Sequence, residues 1–324
     1  MLKTSAERLG EAKHCSYIDG MNTDNLQLLK DILAVPTKTH QEERLVKFLV
    51  DYFECPCRKV MKGGVNCADG ECNCEEMDRI NDFEILTDDI GNLMVVKQHP
   101  HNFDGVFPCV VAHTDTVHSI DSDYIDIKTV QRPNTCGDMR TALTGFHPET
   151  GEPSGCGGDD KAGVFTCLML FEEFANIKLF FPVAEETGCH GSKAVDGRWF
   201  DDVGYFIQFD SPTNNTMSKT LLGRPLYDNQ SEFGSKALPL IQEHGITEHQ
   251  HHPYTDVATL GERFGVQCLN VAAGYYKMHR AEEYVVIEDV VNAIALGIRL
   301  IDRLGEKRYA KRLEEQDTVR ILTV

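Results

Sequence analysis

The sequence predicts an α/β protein with three layers, α/β/α, in which helices cover both faces of a mostly parallel mixed sheet. Three observations lead there. Helical periodicities alternate with short apolar runs along most of the chain. The runs are apolar at successive positions, so both faces of each strand need a cover. Histidines and carboxylates collect where the runs end, and in open α/β sheets ligands sit outside the carboxyl ends of the strands.

In chain order, residues 24–34 place Leu26, Leu29, Ile32 and Leu33 at helical spacing, with Thr23 or Asp24 as cap and Pro36 as stop. Residues 40–53 repeat the pattern with Leu45, Val46, Leu49, Val50 and Phe53. Strands follow at 83–86 (FEIL), 92–97 (NLMVVK) and 106–113 (VFPCVVAH). A helix is expected over 161–175, then strands at 178–184 (KLFFPVA) and 203–210 (VGYFIQFD). The last third gives a helix at 231–244, a strand at 266–272 and a long helix at 287–305.

Asp and Glu outnumber Lys and Arg by 51 to 32, a net charge of -19, which argues against a nucleic-acid partner because phosphate binding needs clustered basic residues. Acidity on this scale serves solubility, and part of it can be metal-binding carboxylate. No apolar run approaches the roughly 18–20 residues of a membrane span. The first twenty residues lack the apolar core of a signal peptide. A cytoplasmic protein with no membrane partner is expected.

The stretch FPVAEETG, residues 181–188, poses the chemical question. It drives an apolar strand straight into Glu185 and Glu186. Two buried like charges cost several kcal/mol unless something positive meets them. The other strand ends repeat the theme. AHTDTV supplies His113 and Asp115, GCGGDDKAG supplies Asp159 and Asp160 before a helix, FDSP supplies Asp210, and GYYKMHRAEEY supplies His279. Singly, each has a plain explanation: a surface histidine, a helix N-terminal turn, an Asp-initiated turn. Together they need a shared counter-charge, which two divalent metals would supply. Imidazole and carboxylate are the zinc ligands of hydrolytic sites.

The order HxD, GxxDDKxG, EE, D and a late His resembles the di-zinc metallopeptidases of the M20 and M28 type, with M42 a related branch, and is closest in its motifs to the peptidase T group of tripeptide aminopeptidases. LLKDILAVPTKTHQEE is similar to the M20 N-terminal helix and loop, and DDIGNLMVVK to its D-x-x-GNL strand. The resemblance covers roughly residues 24–303 with gaps. It implies the zinc-peptidase fold of phosphorylase/hydrolase type, two Zn2+ (or Co2+ or Mn2+ in their place) and a set of roles. His113 and Asp210 would hold one metal, Glu186 and His279 the other, and Asp159 would bridge them. Asp115 would orient the His113 ring, and Glu185 would be the general base. A cis peptide at Asp159–Asp160 is also implied. The two adjacent glutamates thus divide the labour, because a carboxylate bound to zinc is a poor base.

Two departures from that pattern stand out. Only 68 residues separate Asp210 from His279, too few for an inserted lid or dimerisation domain of about 100 residues. A single catalytic domain over 1–324 is therefore expected, a monomer or an oligomer not built through a lid. YTDVATLGERFG resembles a TD-x-x-x-L loop that borders the substrate pocket in M28 and M42 relatives, making Thr255 and Asp256 candidate substrate contacts; a helix N-cap is the other explanation. The EHQHH run (His249, His251, His252) fits either a replacement for a lid histidine or a solvated loop.

The second departure is a cysteine-rich insertion over 54–82. Cys55, Cys57, Cys67, Cys72 and Cys74 follow a C-x-C-x9-C-x4-C-x-C spacing, which leaves a third, structural Zn2+, disulfides and free thiols all open. The other seven cysteines are scattered, and several lie in apolar patterns as small core residues. The expected activity is hydrolysis of amide bonds in short peptides, an aminopeptidase first. An N-acyl-amino-acid deacylase or dipeptidase would use the same machinery. A non-catalytic binding homologue is the reading from a different class; such relatives typically lose ligands or the base, whereas this chain keeps His113, Asp159, Glu185, Glu186, Asp210 and His279.

Overall fold

The apolar runs pair into one large sheet. The computed structural model describes residues 21–54, 83–99, 105–133, 138–221, 223–250 and 254–311. Its helices are α1 (Thr23–Ala34), α2 (Glu43–Glu54), α3 (Gly158–Glu173), α4 (His190–Ala194), α5 (Glu232–Glu243), α6 (Asp256–Phe264) and α7 (Ile287–Leu304). Its first seven strands are β1 (Phe83–Thr87), β2 (Leu93–Lys97), β3 (Phe107–Val111), β4 (Asp126–Pro133), β5 (Met139–Phe146), β6 (Ile177–Phe181) and β7 (Val203–Ser211). The rest are β8 (Thr216–Ser218), β9 (Thr220–Leu221), β10 (Arg224–Pro225), β11 (Glu248–Gln250), β12 (Cys268–Ala272), β13 (Tyr275–Tyr276) and β14 (Tyr284–Val286).

The main sheet has the order β1-β2-β6-β3-β7-β12-β8-β11. Its centre, β6, β3, β7 and β12, runs parallel, and β2 joins antiparallel on one side and β8 on the other. Strands β3, β6, β7 and β12 are buried at every position, as sequences apolar on both faces require. Successive side chains on β7 show the three layers. Phe209 lies toward α3 and α7, where a Cβ on Gly297 would meet its ring edge at 3.0 Å. Gln208 points the other way and bonds Asp256 of α6. Alternation along a strand makes this division automatic.

Helix α3 is buried along nearly its whole length, between the sheet and helices α1 and α7. Phe53 of α2 meets Phe171 of α3 edge to face at 4.9 Å. On the opposite face Phe200 is the hub, 5.0 Å from Phe180 and 4.9 Å from Phe264. Such aromatic pairs add about 0.5–1.5 kcal/mol each beyond their area burial.

The predicted elements form within a few residues of their expected limits, with three differences. The cap of α1 is Asn22, whose side chain accepts from the Asn25 N–H at 2.7 Å, in place of Thr23 or Asp24. The strand expected over 178–184 stops at Phe181, because Ala184 turns at φ 52°. A second, four-stranded antiparallel sheet, β13-β14-β5-β4, forms where the sequence reading placed no strand. Cys109, Cys156, Cys167, Cys189 and Cys268 are buried free thiols, as read. The cysteines of the insertion lie outside the described residues, as do His251 and His252; His249 is exposed on β11. Among the described residues no helix is long and apolar enough to cross a membrane.

Candidate metal centre

Strands β6, β3 and β7 are parallel neighbours, so their carboxyl ends lie side by side and their polar ends meet. Thr114, just beyond β3, donates from both its N–H and its hydroxyl to the Pro182 carbonyl beyond β6, each at 3.0 Å. That double tie fixes His113 and Asp115 against the Glu185–Glu186 turn. Asp115 accepts from the Glu185 N–H (2.9 Å), the Glu186 N–H (3.2 Å) and the Thr39 hydroxyl (2.9 Å). Burial pushes its pKa up, but His113 and these donors outweigh it and hold the carboxylate low. Asp115 therefore organises two things: its carboxylate lies 3.4 Å from His113 Nδ1, and it anchors the backbone of both glutamates.

Asp159 reaches the same point from the start of α3, and the Asp159–Asp160 peptide is cis, as the resemblance implied. Its two oxygens separate two imidazoles. Oδ1 lies 3.1 Å from His113 Nε2, and Oδ2 lies 3.3 Å from His279 Nε2. Asp210, near the end of β7, comes within 3.5 Å of His113 Nε2, and Glu186 Oε2 within 3.1 Å of His279 Nε2. Glu185 Oε2 lies 4.0 Å from His113 Nε2. His279 comes from the turn between β13 and β14, with φ 62°, a conformation costly for a residue with a side chain. The main sheet thus supplies all these groups except Asp159, which begins a helix, and His279, which is on the second sheet.

The donor set fits divalent ions. His113, Asp159 and Glu186 offer ligand atoms all within 4.8 Å of one another, and so do His113, Asp160 and Asp210. Burial, followed by neighbouring carboxylates, pushes Glu185, Asp160 and Asp210 well above the usual carboxylate range. Burial lowers the pKa of His113, but its bonds to Asp115, Asp159 and Asp210 prevail and raise it well above normal. Bonds to Asp159 and Glu186 raise His279 to about 10. Without another cation, protons must carry the positive charge that balances these carboxylates. Glu186 Oε1 is buried with no hydrogen-bond partner, a vacant acceptor in a cluster already short of donors.

The structure brings His113, Asp115, Asp159, Glu185, Glu186, Asp210 and His279 together. Thr255 and Asp256 stand apart in a buried network behind the glutamates. Thr255 donates to Gln208 Oε1 and accepts from Asn270, while Asp256 accepts from Ser192 and Gln208. Burial raises Asp256 to about 6. Thr255 occupies the N-cap position of α6 but makes no capping bond with its side chain.

Two buried acids, Glu42 and Glu283, are absent from the site groups the sequence suggests, and a third, Asp160, is among them without a role. Asp160 accepts from the His113 and Gly163 N–H groups, and α3 approaches so closely that a Cβ on Gly163 would meet the Phe209 carbonyl at 2.6 Å. Glu42 accepts from the N–H of Ala184, the residue before the two glutamates. Glu283 is fully buried and accepts from His118 and the Gly158 N–H, each at 3.0 Å, and from the Asp159 N–H at 3.5 Å. It fixes the backbone that presents Asp159. Glu283→Gln is expected to weaken zinc binding about 10–100-fold, as loss of an outer partner does, measured by competition with a fluorescent chelator.

No family model matches the sequence, and no curated protein does. Solved structures do match. Aminopeptidase PepT from Bacillus cereus ATCC 10987 superposes with a TM-score of 0.62 at 14% identity, covering 88% of this chain and 99% of that one. A tripeptidase from Staphylococcus aureus subsp. aureus Mu50 gives 0.61 at 11% identity, over 87% and 98%. The TET1 peptidase of Pyrococcus horikoshii, described as assembling into a tetrahedron or a large octahedral shell, gives 0.51 at 14% identity, over 89% and 100%. The fold is that of these peptidase structures, an α/β fold on an eight-stranded mixed sheet, and it carries a buried His/Asp/Glu cluster suited to metal.

Proposed function

We propose that this protein is a di-metal hydrolase that removes the N-terminal residue from short peptides. One observation carries the proposal: two imidazoles face the two oxygens of one buried aspartate, and a second buried carboxylate, Glu185, stands beside them. In this assignment His113 and Asp210 would hold one ion and Glu186 and His279 the other, with Asp159 shared between them. Two Zn2+ ions, when bound, would lower the pKa of water toward ~7 and polarise the substrate carbonyl.

The chain's own groups do the rest. Glu185 takes a proton from the attacking water and returns it to the leaving amine, which needs no acyl-enzyme. Asp115 holds the turn so that Glu185 and Glu186 cannot exchange places. Surplus carboxylate near the ions would receive the free N-terminal ammonium of the substrate. Thr255 and Asp256 are buried and tie α6 to β7 and α4 through Gln208 and Ser192, so any part they play toward substrate is indirect.

The proposal treats the chain as one catalytic domain without a lid. Its support is that the residues between Asp210 and His279 build strands β8 to β13 and helices α5 and α6. Assembly without a lid is compatible with this. Equilibrium dialysis against zinc should give two equivalents per chain. Removal by a strong chelator should abolish cleavage of a free tripeptide, and added zinc should restore it. Turnover that survives complete removal of metal would overturn the proposal.

A further inference from the structure

The turn that follows the two glutamates carries basic groups that the proposed chemistry does not use. Gly188, two residues beyond Glu186, sits at φ 119°, and its N–H donates to the Glu185 carbonyl at 2.7 Å. Three side chains converge on it. A Cβ built there would lie 3.8 Å from Tyr254 Cε1, 3.9 Å from Lys193 Nζ and 4.0 Å from His190 Nε2. His190 and Lys193 are three apart on α4 and so share a face. Both are exposed, and among the described residues neither has an ion-pair partner. Their backbone is fixed all the same: the Arg263 guanidinium donates to the carbonyls of Ser192, Lys193 and Val195, at 3.2, 3.3 and 2.7 Å. Tyr254 adds an exposed aromatic wall, 44% accessible.

The charge is out of character with its surroundings. The chain is strongly acidic, and the neighbouring cluster is built from carboxylates. Beside the carboxylate cluster, His190 and Lys193 offer exposed basic groups to a negatively charged part of a ligand. Distance fits the same conclusion. An extended peptide advances about 3.3–3.6 Å per residue, so in a tripeptide cut at its first bond the terminal carboxylate lies ~7 Å past the reacting carbonyl. Gly188 is two residues from Glu186 and its N–H bonds the Glu185 carbonyl, so this turn borders the cluster.

We propose that His190, Lys193 and the Tyr254 ring form a subsite for the C-terminal carboxylate of a short peptide, so that the site reads both ends of its substrate. This rests on the peptidase function proposed above and takes the place of a lid in measuring length. Lys193 supplies the charge-assisted bond, His190 a second donor and Tyr254 a surface for the last side chain.

The test compares a free tripeptide with its C-terminal amide. Zinc-loaded Glu185→Gln protein is titrated with each by calorimetry, and zinc-loaded wild type is assayed for hydrolysis of both. The subsite predicts at least tenfold tighter binding of the free acid. In His190→Ala/Lys193→Met on the Glu185→Gln background the two affinities should become nearly equal, and Lys193→Arg should keep the preference. Equal binding of acid and amide by the parent protein, with normal hydrolysis, overturns the subsite and leaves the peptidase reading intact. A preference for the acid that depends on Lys193, with no hydrolysis by wild type, supports the subsite and overturns the peptidase reading. Failure to bind either peptide overturns the subsite.

Discussion

Glu185→Gln should lose about three to four decades of kcat while both metals stay bound. The substitution keeps the size of the side chain and removes its basicity. General-base contributions run at about 10²–10⁴-fold, and no neighbouring group can stand in. Asp115 is committed to two backbone N–H groups and Thr39, Asp159 faces both imidazoles, and Asp210 faces His113. KM should change little, since Glu185 is assigned to moving a proton and not to binding substrate. Steady-state kinetics with metal analysis on the same preparation checks this. A variant with near-normal turnover would refute the division of roles between Glu185 and Glu186.

Asp159→Asn should be more damaging, because it strikes both ions at once. The amide carries no charge and presents one oxygen where the carboxylate presents two, 3.1 and 3.3 Å from the two imidazoles. Zinc content should fall from two equivalents to below one at micromolar free metal, and activity should disappear with it. Loss of a single ligand at only one ion, as in His279→Ala, should leave the first ion in place. Equilibrium dialysis of the two variants side by side separates a bridging group from a terminal one. Two tightly held ions in Asp159→Asn would show that Asp159 does not bridge.

The parts of the molecule visible in the sequence are those where local chemistry and final burial agree. KLFFPVA and VGYFIQFD are apolar on both faces, and β6 and β7 are buried on both faces. His113, Asp159, Glu185 and Asp210 were found because each closes an apolar run or opens the helix after one. The second sheet was hidden for the opposite reason. Strand β4 reads DIKTVQRP, with three charges and a terminal proline, and it is only half covered, so no run of apolar residues announces it. The cap of α1 lies one or two residues before the expected Thr23 or Asp24 because Asn22, Thr23 and Asp24 are all capping types; which oxygen reaches Asn25 is decided by backbone geometry. Glu42 and Glu283 lie in HQEE and AEEY, which look like solvated acids. Their burial is set by the turn after β6 and by the start of α3, each more than a hundred residues away, which no local pattern encodes.

The proposed activity is recognition of a free amino terminus and cleavage of the adjoining peptide bond. Four compounds test it directly with the zinc-loaded protein: a free tripeptide, its N-acetylated twin, a free dipeptide and an acetylated amino acid. Cleavage of the unblocked peptides alone is expected, with release of the first residue, and none with Glu185→Gln. Cleavage of the acetylated compounds, or silence on the free tripeptide by protein that holds two zinc ions, would contradict it.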